Sequence, residues 1–390
     1  MTLETTPTTA TGSDIPNLSE FLAAGGDSSY RFNFIGEGAA NLVFEILPID
    51  GSNASEDIKK MYNDKKKPGN LLRVPKSGTQ AFNCQVLHAY WKTAVEPLFE
   101  PGDLAQLHLI RLGSSSQRVV SLLTAALEEN ETSRRGDFQG SKVSSASEYG
   151  MLIENMSMKQ PSDLVLEFKP KWLAQSPNAP PSSTRCRNCA REAYRRNHHH
   201  PSNKKKQKSS IPIPLCQLDF LACSASRGDP AALNRVLERV SVIKHQQRPT
   251  VTTPTSAAAQ QQQQYASLVN WLRTNTLLSR LRDMQVANDP HGSLAVTSAE
   301  DDDDASKLQL AMTLRDCSCY VRISAPTENC EIEIEAKLAD LDKKNRDAKL
   351  GYWQATEREL IEGGYYEGME EPRQETHCQL GRLPKHTKYV

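Results

Sequence analysis

Apolar and polar residues alternate strictly along two neighbouring segments toward the C-terminal end of the chain. In residues 317–323, Cys, Cys, Val and Ile occupy every second position, and in residues 331–338 Ile, Ile, Ala and Leu do the same. A period of two predicts β-strands, and the turn-forming residues between these segments predict an antiparallel hairpin. Asp316 precedes the first strand, while Asp340 and Asp342 follow the second. Pairing would therefore bring three carboxylates to one end of the hairpin.

Lysines lie directly beyond these carboxylates, at positions 343, 344 and 349. Acidic groups beside lysines suit the metal-assisted transfer of a phosphoryl group between two phosphate-rich ligands. On this segment alone, however, a surface hairpin with solvated charges is the preferred interpretation.

A glycine-rich segment, GEGAAN, separates two further predicted strands, residues 30–35 and 42–47. A glycine turn between antiparallel strands lets backbone amides approach phosphate oxygens without interference from Cβ atoms, although such a sequence is more often only a turn. The chain has no G-x-x-x-x-G-K-[ST] motif, and no helix is predicted after the glycines. Neither a Walker-type loop nor a dinucleotide-binding fold is therefore indicated. The order strand, glycine turn, strand is that of protein kinases.

Charged residues on two more predicted strands are candidates for binding phosphate. The strand NLLRVP carries one cation, Arg73, whose planar guanidinium can hold two oxygens at once. In the strand predicted for residues 163–172, apolar side chains face one way and Glu167, Lys169 and Lys171 face the other. These three charges are either solvated or bind an anionic ligand, with Glu167 holding a lysine or a metal.

The predicted elements indicate an α+β protein of two lobes. Helical periodicity occurs in residues 80–99, 118–130, 230–242, 264–284 and 354–363. Residues 149–156 predict a strand that connects the lobes, beside which kinase-like folds bind adenine. The predicted divisions are a disordered N-terminus with a short helix (1–29), an N-lobe (30–157) and a C-lobe (158–390). Composition predicts low-complexity insertions near residues 174–183, 197–210, 249–264 and 288–306.

Composition restricts the class of protein further. The chain has 390 residues and a formal net charge of zero, so no global field points to nucleic acid or membrane. Nine irregularly spaced cysteines do not describe a disulfide framework and favour a reducing compartment. The N-terminus lacks a secretory signal, and no apolar run is long enough to cross a bilayer. We expect a soluble intracellular protein of the nucleus, the cytoplasm or both.

One pair of cysteines, Cys186 and Cys189, has the C-x-x-C spacing that fits two zinc thiolates. Candidates for the missing ligands are Cys216 and the histidines at 198–200. A basic run follows the pair, so a zinc-stabilised nucleic-acid-binding protein is one alternative function. The absence of repeated C-x-x-C units, and of aromatic residues within the basic run, argues against it.

Six motifs occur along the chain in this order: GEGAANLVFEI, LLRVPK, LEFKPKW, CRNC, TLRDCSCYVRI and LADLDKKNRDAKLGYW. Together they span roughly residues 30–366 and resemble the inositol-pentakisphosphate 2-kinases, most of all the fungal members. The resemblance implies a two-lobed kinase-like fold related to inositol-polyphosphate kinases. It also implies that the γ-phosphate of ATP is transferred, with Mg²⁺, to the axial 2-hydroxyl of inositol 1,3,4,5,6-pentakisphosphate, which gives inositol hexakisphosphate (phytic acid).

The resemblance assigns nucleotide-binding roles mainly to the N-lobe. The residues that would cover or contact the ATP phosphates are Gly36, Glu37, Gly38, Ala39, Ala40, Asn41 and Arg73. Glu154, Asn155 and Met156 fall at the lobe connector, and Glu167 matches a position in the nucleotide pocket.

Catalytic and substrate roles fall mainly in the C-lobe. Asp316 matches the general base of the RDCS motif. Asp340 matches the catalytic magnesium ligand of the DL-x-x-K motif, with Asp342 as a second ligand, and Lys344 matches a catalytic lysine that contacts substrate. The other substrate ligands implied are Arg135 (preferred to Arg134), Lys169, Lys171, Arg187 and Lys349.

The expected partners are ATP and inositol pentakisphosphate, with a structural Zn²⁺ on Cys186, Cys189 and Cys216. Neither membrane nor direct nucleic-acid binding is expected, and we expect a monomer. A second alternative is a kinase-like scaffold that binds inositol phosphates without turnover, against which stand the intact Asp316, Arg73 and Asp340.

Overall fold

The computed structural model describes residues 15, 17–18, 30–48, 71–79, 82–113, 116–145, 147–160, 162–198, 213–224, 228–246, 254–297, 303–326 and 332–382. The chain divides into two compact units, of which the first comprises Met1–Thr93 and Ala105–Asn155 and the second Ala94–Leu104 and Met156–Val390. The boundary therefore follows residue 155, two residues before the predicted end of the N-lobe.

An antiparallel sheet forms the centre of the first unit. Its strands are β1 (Tyr30–Glu37), β2 (Asn41–Pro48), β3 (Leu71–Pro75), β4 (Leu107–Arg111) and β5 (Tyr149–Ile153). They lie in the order β1-β2-β3-β5-β4. The sequence did not predict β4, because its apolar residues Leu107, Leu109 and Ile110 break the alternation of a half-buried strand.

Among the described residues of this unit, two α-helices accompany the sheet, α1 (Cys84–Tyr90) and α2 (Ser116–Glu128). The Asn83 side chain caps α1 by accepting from the Val86 N–H at 2.9 Å. Alternate residues of β2 and β3 pack in one cluster with α2, among them Phe44, Leu72 and Leu123, all fully buried. Burial of each such side chain contributes roughly 1.5–3 kcal/mol.

A three-stranded antiparallel sheet lies in the second unit: β6 (Leu164–Phe168), β7 (Ser318–Ile323) and β8 (Ile334–Ala339), in that order. The predicted α+β class and its antiparallel sheets are confirmed. The predicted hairpin is β7 and β8, in which Ser318 pairs with Ala339 and Ile323 with Ile334. Because Asp316 precedes β7 and Asp340 follows β8, these two residues lie at the same end of the hairpin, as predicted.

The expectation that Glu167, Lys169 and Lys171 share one strand face is wrong. Strand β6 ends at Phe168, and only Glu167 lies within it. Pro170 lacks the N–H that a continuing ladder requires, and Lys171 adopts a left-handed backbone with φ of 54°. The two lysines therefore follow the strand in an irregular segment.

Seven helices complete the described part of the second unit: α3 (Arg187–His198), α4 (Asp219–Ala222), α5 (Pro230–Gln246), α6 (Pro254–Thr274), α7 (Leu277–Ala287), α8 (Asp303–Leu314) and α9 (Arg346–Glu362). The glutamine run, predicted as an insertion without a core, lies within α6. Gln264 is buried there, and its Nε2 donates to the carbonyl oxygens of Ser162 (2.9 Å) and Ile323 (3.3 Å). A buried polar amide with these two acceptors makes this end of the run part of the fold.

The segment 174–183, also predicted as an insertion, packs within the second unit. Ser176 is buried and donates to Glu357 Oε1 at 2.5 Å, and Ala179 packs against a cluster that contains Tyr366. Of residues 288–306, the structure describes 288–297 and 303–306, which include a 3₁₀ turn at Ser293–Ala295 and the start of α8.

Two predicted segments fall mostly outside the described residues. The basic insertion at 197–210 is described only at 197–198, and the N-terminal helix expected in residues 17–24 only at 17–18. Among the helices described, none has both the length and the apolar character that a bilayer span demands.

Candidate active site

The glycine turn of the first unit joins β1 to β2. The Gly38 N–H donates to the Asn41 carbonyl at 2.9 Å, which closes the turn, and Ala39 and Ala40 form its bend. The Lys76 N–H, just beyond β3, donates to the Ala40 carbonyl at 2.9 Å. The turn is therefore attached to the neighbouring strand through its backbone.

Open space surrounds both glycines of this turn. A Cβ atom added at Gly36 or Gly38 would meet no atom within 4 Å, and neither residue has the positive φ that favours glycine. Packing among the described residues therefore does not require glycine here. Such a turn leaves room for a phosphate group to approach the backbone.

Glu37 lies inside the glycine-rich segment, but its carboxylate contacts two buried cations. Arg134 donates to both carboxylate oxygens, at 2.8 and 2.7 Å, and Lys76 Nζ lies 2.7 Å from Oε2. Burial by itself would raise the pKa of Glu37, but hydrogen bonds and charges of Arg134 and Lys76 outweigh it and lower that pKa. Arg134 also pairs with Glu131. The expected contact of Glu37 with nucleotide is thus replaced by a structural ion pair.

Two other predicted cations of the first unit differ in exposure. Arg73 is half-buried in β3 and lies between two core residues of that strand, so it belongs to the opposite face of the sheet. Arg135 is 73% exposed and pairs with Asp137 at 3.4 Å. Because Arg134 is held by Glu37, Arg135 is the arginine of this pair that remains accessible.

The predicted connector falls at the boundary of the units, where Asn155 ends the first and Met156 begins the second. Met156 is buried. Glu154 accepts a hydrogen bond from the Gln106 N–H at 2.9 Å through its side chain, and its own N–H donates to the Gln106 carbonyl at 3.0 Å. This carboxylate therefore stabilises the end of β5.

Asp316 lies in the second unit, where α8 ends and β7 begins. Its two carboxylate oxygens contact two ammonium groups, Lys171 Nζ at 3.0 Å and Lys344 Nζ at 2.8 Å. Burial opposes the charge, but the Lys344 ammonium and then Lys171 outweigh it and lower the pKa of Asp316 to about 2. The low pKa keeps this carboxylate ionised near neutral pH. Its side chain is also 47% exposed, so a ligand can reach it.

The carboxylates predicted to bind magnesium lie near the same end of the sheet. Asp340 Oδ2 contacts Lys169 Nζ at 3.1 Å, and the same ammonium donates to the Asp316 carbonyl at 3.0 Å. Burial lowers the pKa of Lys169, but Asp340 and Asp316 raise it overall. Asp342 is half-buried, and its carbonyl accepts from Thr313 Oγ1 at 3.1 Å. This bond attaches the loop after β8 to α8.

Backbone strain is concentrated in this cluster. Within the described ranges, two non-glycine residues have positive φ, Lys171 (54°) and Asp340 (60°). A left-handed conformation costs a residue with a Cβ atom roughly 1–3 kcal/mol and persists where its surroundings enforce it. Such residues often occur in active sites.

A cavity of about 560 Å³ opens beside Asp316 within the second unit. Nine cationic side chains line it: Lys169, Lys171, Arg187, Arg191, Arg195, Arg196, Arg315, Lys344 and Lys349. The described lining contains two carboxylates, Glu192 and Asp316. Such an excess of positive charge is unfavourable unless an anion binds there. All five C-lobe substrate residues predicted from the resemblance line this cavity, whereas Asp340, Asp342 and Glu167 do not.

Arg187 is fixed in the cavity wall by buried partners. Its Nε donates to Glu357 Oε2 at 2.9 Å, and its guanidinium lies 4.2 Å from the centre of the Trp172 ring. The guanidinium of Arg315 also stacks on this ring, 3.5 Å from its centre, and its Nη1 donates to Asp289 Oδ2 at 2.5 Å. Stacking on an aromatic face orients a guanidinium while leaving other N–H groups for a ligand.

The arginines that follow Arg187 on α3 were not predicted as site residues from the sequence. Arg191 and Arg195 recur at intervals of four, so with Arg187 they form one helix face toward the cavity. Arg191 donates to the Tyr352 hydroxyl at 3.0 Å. Its Nη1 is buried without a hydrogen-bond partner among the described residues, as are Arg196 Nη2 and Arg315 Nε. The i, i+4 spacing was the signal in the sequence.

Glu167 lies on β6, where Ser318 Oγ donates to its Oε1 at 3.2 Å. It is exposed and pairs across the strands with Tyr320. Burial, followed by the charge of Glu167, raises the pKa of the Tyr320 hydroxyl.

Four buried cysteines lie together, with Sγ atoms all within 4.8 Å of one another: Cys186, Cys189, Cys216 and Cys378. Cys189 also lines the cavity. Cys378 was not among the candidate ligands predicted from the sequence. The His198 Nδ1–H instead donates to the Tyr194 carbonyl oxygen at 2.9 Å, and residues 199–200 lie outside the described ranges. The available signal was the repeated Cys-Gln-Leu at residues 216–218 and 378–380.

Comparison with known proteins agrees with this arrangement. A sequence profile of the family described as inositol-pentakisphosphate 2-kinase matches residues 34–359. The chain belongs to the inositol-pentakisphosphate 2-kinase family. The antiparallel α+β architecture is consistent with the kinase-like fold expected of that family.

A relative of this family is the inositol-pentakisphosphate 2-kinase of Yarrowia lipolytica (strain CLIB 122 / E 150). It is 28% identical to this chain over 236 residues, which cover 56% of this chain. The match spans 65% of the relative's own length.

Proposed function

We propose that this chain transfers the γ-phosphate of ATP to the 2-hydroxyl of inositol 1,3,4,5,6-pentakisphosphate and so forms inositol hexakisphosphate. The observation that carries the proposal is the cavity in the second unit, where nine cations face two carboxylates and one of these is Asp316. Family membership supports the same reaction.

The charge of the cavity suits this acceptor. Five phosphate groups, each with a second pKa near 6, carry roughly eight to ten negative charges near neutral pH. The arginines of α3 offer planar donors for phosphate oxygens, and three of the cavity's arginines have buried N–H groups without a partner among the described residues. A highly phosphorylated ring would satisfy these donors and neutralise the cavity.

Asp316 is the proposed general base. Its carboxylate orients the attacking hydroxyl and accepts the proton as the new O–P bond forms. A pKa of about 2 keeps it ionised at every physiological pH. Phosphate oxygens that attract Lys171 and Lys344 would free the carboxylate and raise its pKa. Little basicity is required, because the proton moves late in a loose transition state.

Residues of the first unit suit the phosphates of ATP: the open glycine turn and Arg73 would contact them. In the second unit, Asp340, Asp342 and Glu167 offer the oxygen ligands that Mg²⁺ prefers. When bound there, Mg²⁺ would supply neutralisation of the phosphate charge. Lys169, by contacting both Asp340 and the Asp316 backbone, holds the proposed metal ligand beside the proposed base.

The four-cysteine cluster fits a structural Zn²⁺. A tetrahedron with Zn–S bonds of ~2.3 Å has S···S edges of about 3.8 Å, and the Cys186–Cys216 and Cys216–Cys378 Sγ pairs lie 3.8 and 3.9 Å apart. Two backbone N–H groups donate to these sulfurs, Cys186 N to Cys378 Sγ at 3.1 Å and Gln379 N to Cys216 Sγ at 3.4 Å. Elemental analysis of purified protein should find one zinc per chain, and Cys378→Ser should lose it.

The transfer assay tests the proposed activity. Purified protein is incubated with Mg-ATP and either inositol 1,3,4,5,6-pentakisphosphate or hexakisphosphate, and products are separated by anion-exchange chromatography. We expect hexakisphosphate and equimolar ADP from the pentakisphosphate, and no stoichiometric transfer to the hexakisphosphate, which lacks a free hydroxyl. Binding of pentakisphosphate without any turnover would support the scaffold alternative and contradict the kinase.

A further inference from the structure

A buried glutamine joins the two chain segments that carry Lys171 and Asp316. Gln285, in the last turn of α7, is 1% exposed. Its Oε1 accepts from the Leu173 N–H at 3.0 Å, and its Nε2 donates to the Lys171 carbonyl at 2.8 Å and the Leu314 carbonyl at 3.2 Å. Both amide hydrogens and the carbonyl oxygen are therefore used, all on backbone groups.

The sheet does not hold these segments together at this point. Pairing between β6 and β7 ends at Phe168 and Cys319, so Lys171 and Asp316 both lie beyond the ladder. Lys171 also has a left-handed backbone, with φ of 54°. Gln285 binds the carbonyl of Lys171 and the N–H two residues later, so it fixes the peptide groups on either side of Trp172.

We propose that Gln285 is a positioning residue for the phosphoryl transfer: its amide holds the Lys171 backbone against the end of α8, so that the Lys171 ammonium lies on the Asp316 carboxylate. This inference rests on the proposed function. The hydrogen bonds of the Gln285 side chain go to backbone atoms of Lys171, Leu173 and Leu314. Gln285 would therefore act on the Lys171 ammonium and the Asp316 carboxylate through the backbone.

An ordinary core residue is a weaker explanation for Gln285. An apolar side chain would fill the same volume without requiring three hydrogen bonds in the interior. Every partner of the amide belongs to the two segments named, and one of them carries the strained lysine. Charged groups facing Asp316 are Lys344 from the loop after β8, and Lys171 and Lys169 from the segment after β6.

A double-mutant cycle tests the proposal with Gln285→Met, Lys171→Ala and the double variant. Gln285→Met keeps the volume and removes all three bonds. Misplacement by about 1 Å can reduce rates roughly a hundredfold, so we expect kcat/KM for inositol pentakisphosphate to fall about ten- to a hundredfold. In the Lys171→Ala background the same substitution should lower it less than about threefold, because the contact it maintains is already lost.

Gln264→Met is the matched control, since Gln264 is also buried and donates to two backbone carbonyls, outside the cavity. It should lower the melting temperature but change kcat/KM less than about twofold when assayed well below that temperature. The proposal would be overturned if Gln264→Met lowered kcat/KM as much as Gln285→Met does. It would also be overturned if the fold-reduction in the double variant equalled the product of the reductions in Gln285→Met and Lys171→Ala, because the two residues would then act independently.

Two further measurements keep the result decisive. If Gln285→Met does not fold, Gln285→Glu retains the shape and the acceptor for Leu173; failure of both to fold would show a role in folding and overturn the proposal. Calorimetric binding of inositol pentakisphosphate to the same variants separates the two claims. A wild-type chain that binds inositol pentakisphosphate but does not phosphorylate it would contradict the proposed function. In that case, a Gln285→Met variant that loses as much binding affinity as Lys171→Ala would still support the positioning role.

Discussion

Two carboxylates of this protein each lie between two cationic side chains, yet their surroundings differ. Glu37, in the first unit, is 5% exposed and contacts Arg134 and Lys76. Asp316, in the second, contacts Lys171 and Lys344 and is 47% exposed on the wall of a cavity. A buried carboxylate with both cations satisfied has nothing left to offer a ligand. An accessible one, among more cations than it can neutralise, can act on an anionic substrate.

The comparison also separates stability from activity. Removing a partner from a buried ion pair leaves an uncompensated charge in the interior, whereas exposed pairs contribute little to stability. Substitutions at Glu37 should therefore change folding, and substitutions at Asp316 should change turnover.

The largest expected effect is that of Asp316→Asn. Loss of a general base reduces turnover by about 10²–10⁴-fold, while the neutral amide keeps the shape of the site. Steady-state kinetics should show kcat reduced by that amount with little change in melting temperature. Asp283→Asn, at an exposed pair with Arg282, is the control and should turn over normally.

Glu37→Gln should destabilise the first unit by about 3–5 kcal/mol, because Arg134 and Lys76 would remain buried without their carboxylate. Urea denaturation measures the change in the free energy of unfolding. Glu131→Gln removes the more exposed partner of the same arginine and should have a much smaller effect. Similar losses in both variants would show that Glu37 is no more structural than Glu131.

Lys169→Ala and Lys171→Ala should each raise KM for inositol pentakisphosphate about tenfold or more, with little change in KM for ATP. Each would remove the charged hydrogen bond, of about 1.5–3 kcal/mol, that we propose the lysine makes to phosphate. Initial rates with each substrate varied in turn provide the comparison. Lys159→Ala, an exposed lysine paired with Glu335, is the control. Equal increases in both KM values would contradict the assignment of these lysines to inositol phosphate.

The smallest effect concerns the pKa of Asp316, which is about 2. Because this pKa lies below the ordinary value near 3.9, the ion pairs stabilise the fold above about pH 4 and lose that effect as the pH falls toward 2. Lys344→Met should raise the pKa of Asp316, as a ¹³C NMR titration of its carboxyl would measure. In the control variant Lys159→Met, the pKa of Asp316 should stay near 2. An unchanged pKa of Asp316 in Lys344→Met would contradict the conclusion that the Lys344 ammonium lowers it.

Local patterns in the sequence predicted much of the fold and part of the site. Alternation identified the β7–β8 hairpin, and with it the common position of Asp316 and Asp340. Alternation failed at Lys169 and Lys171, because Pro170 ends the strand and no periodicity describes a left-handed lysine. Composition also failed for the glutamine run, since burial of Gln264 depends on carbonyls of Ser162 and Ile323, which lie far away along the chain.

Residue identity alone did not distinguish chemical from structural roles. The resemblance assigned Glu37 to the nucleotide, and only the fold shows that its carboxylate is paired with Arg134, 97 positions away. Cys378 lies 162 positions from Cys216, so spacing rules for metal ligands could not join them. The spacing of Arg191 and Arg195 would have placed them on one face with Arg187, but no helix over residues 187–198 was predicted from the sequence.

A single-turnover experiment tests the central claim most directly. Protein in excess over inositol 1,3,4,5,6-pentakisphosphate is mixed with Mg-ATP labelled in its γ-phosphate, and label in the inositol phosphate is followed over time. We predict that the wild-type chain transfers the label to the 2-hydroxyl and that Asp316→Asn, folded and binding the acceptor, does so at least about a hundredfold more slowly. Equal transfer by the two proteins, or no transfer by the wild type, would contradict the assignment of Asp316 and its cavity as the site of the reaction.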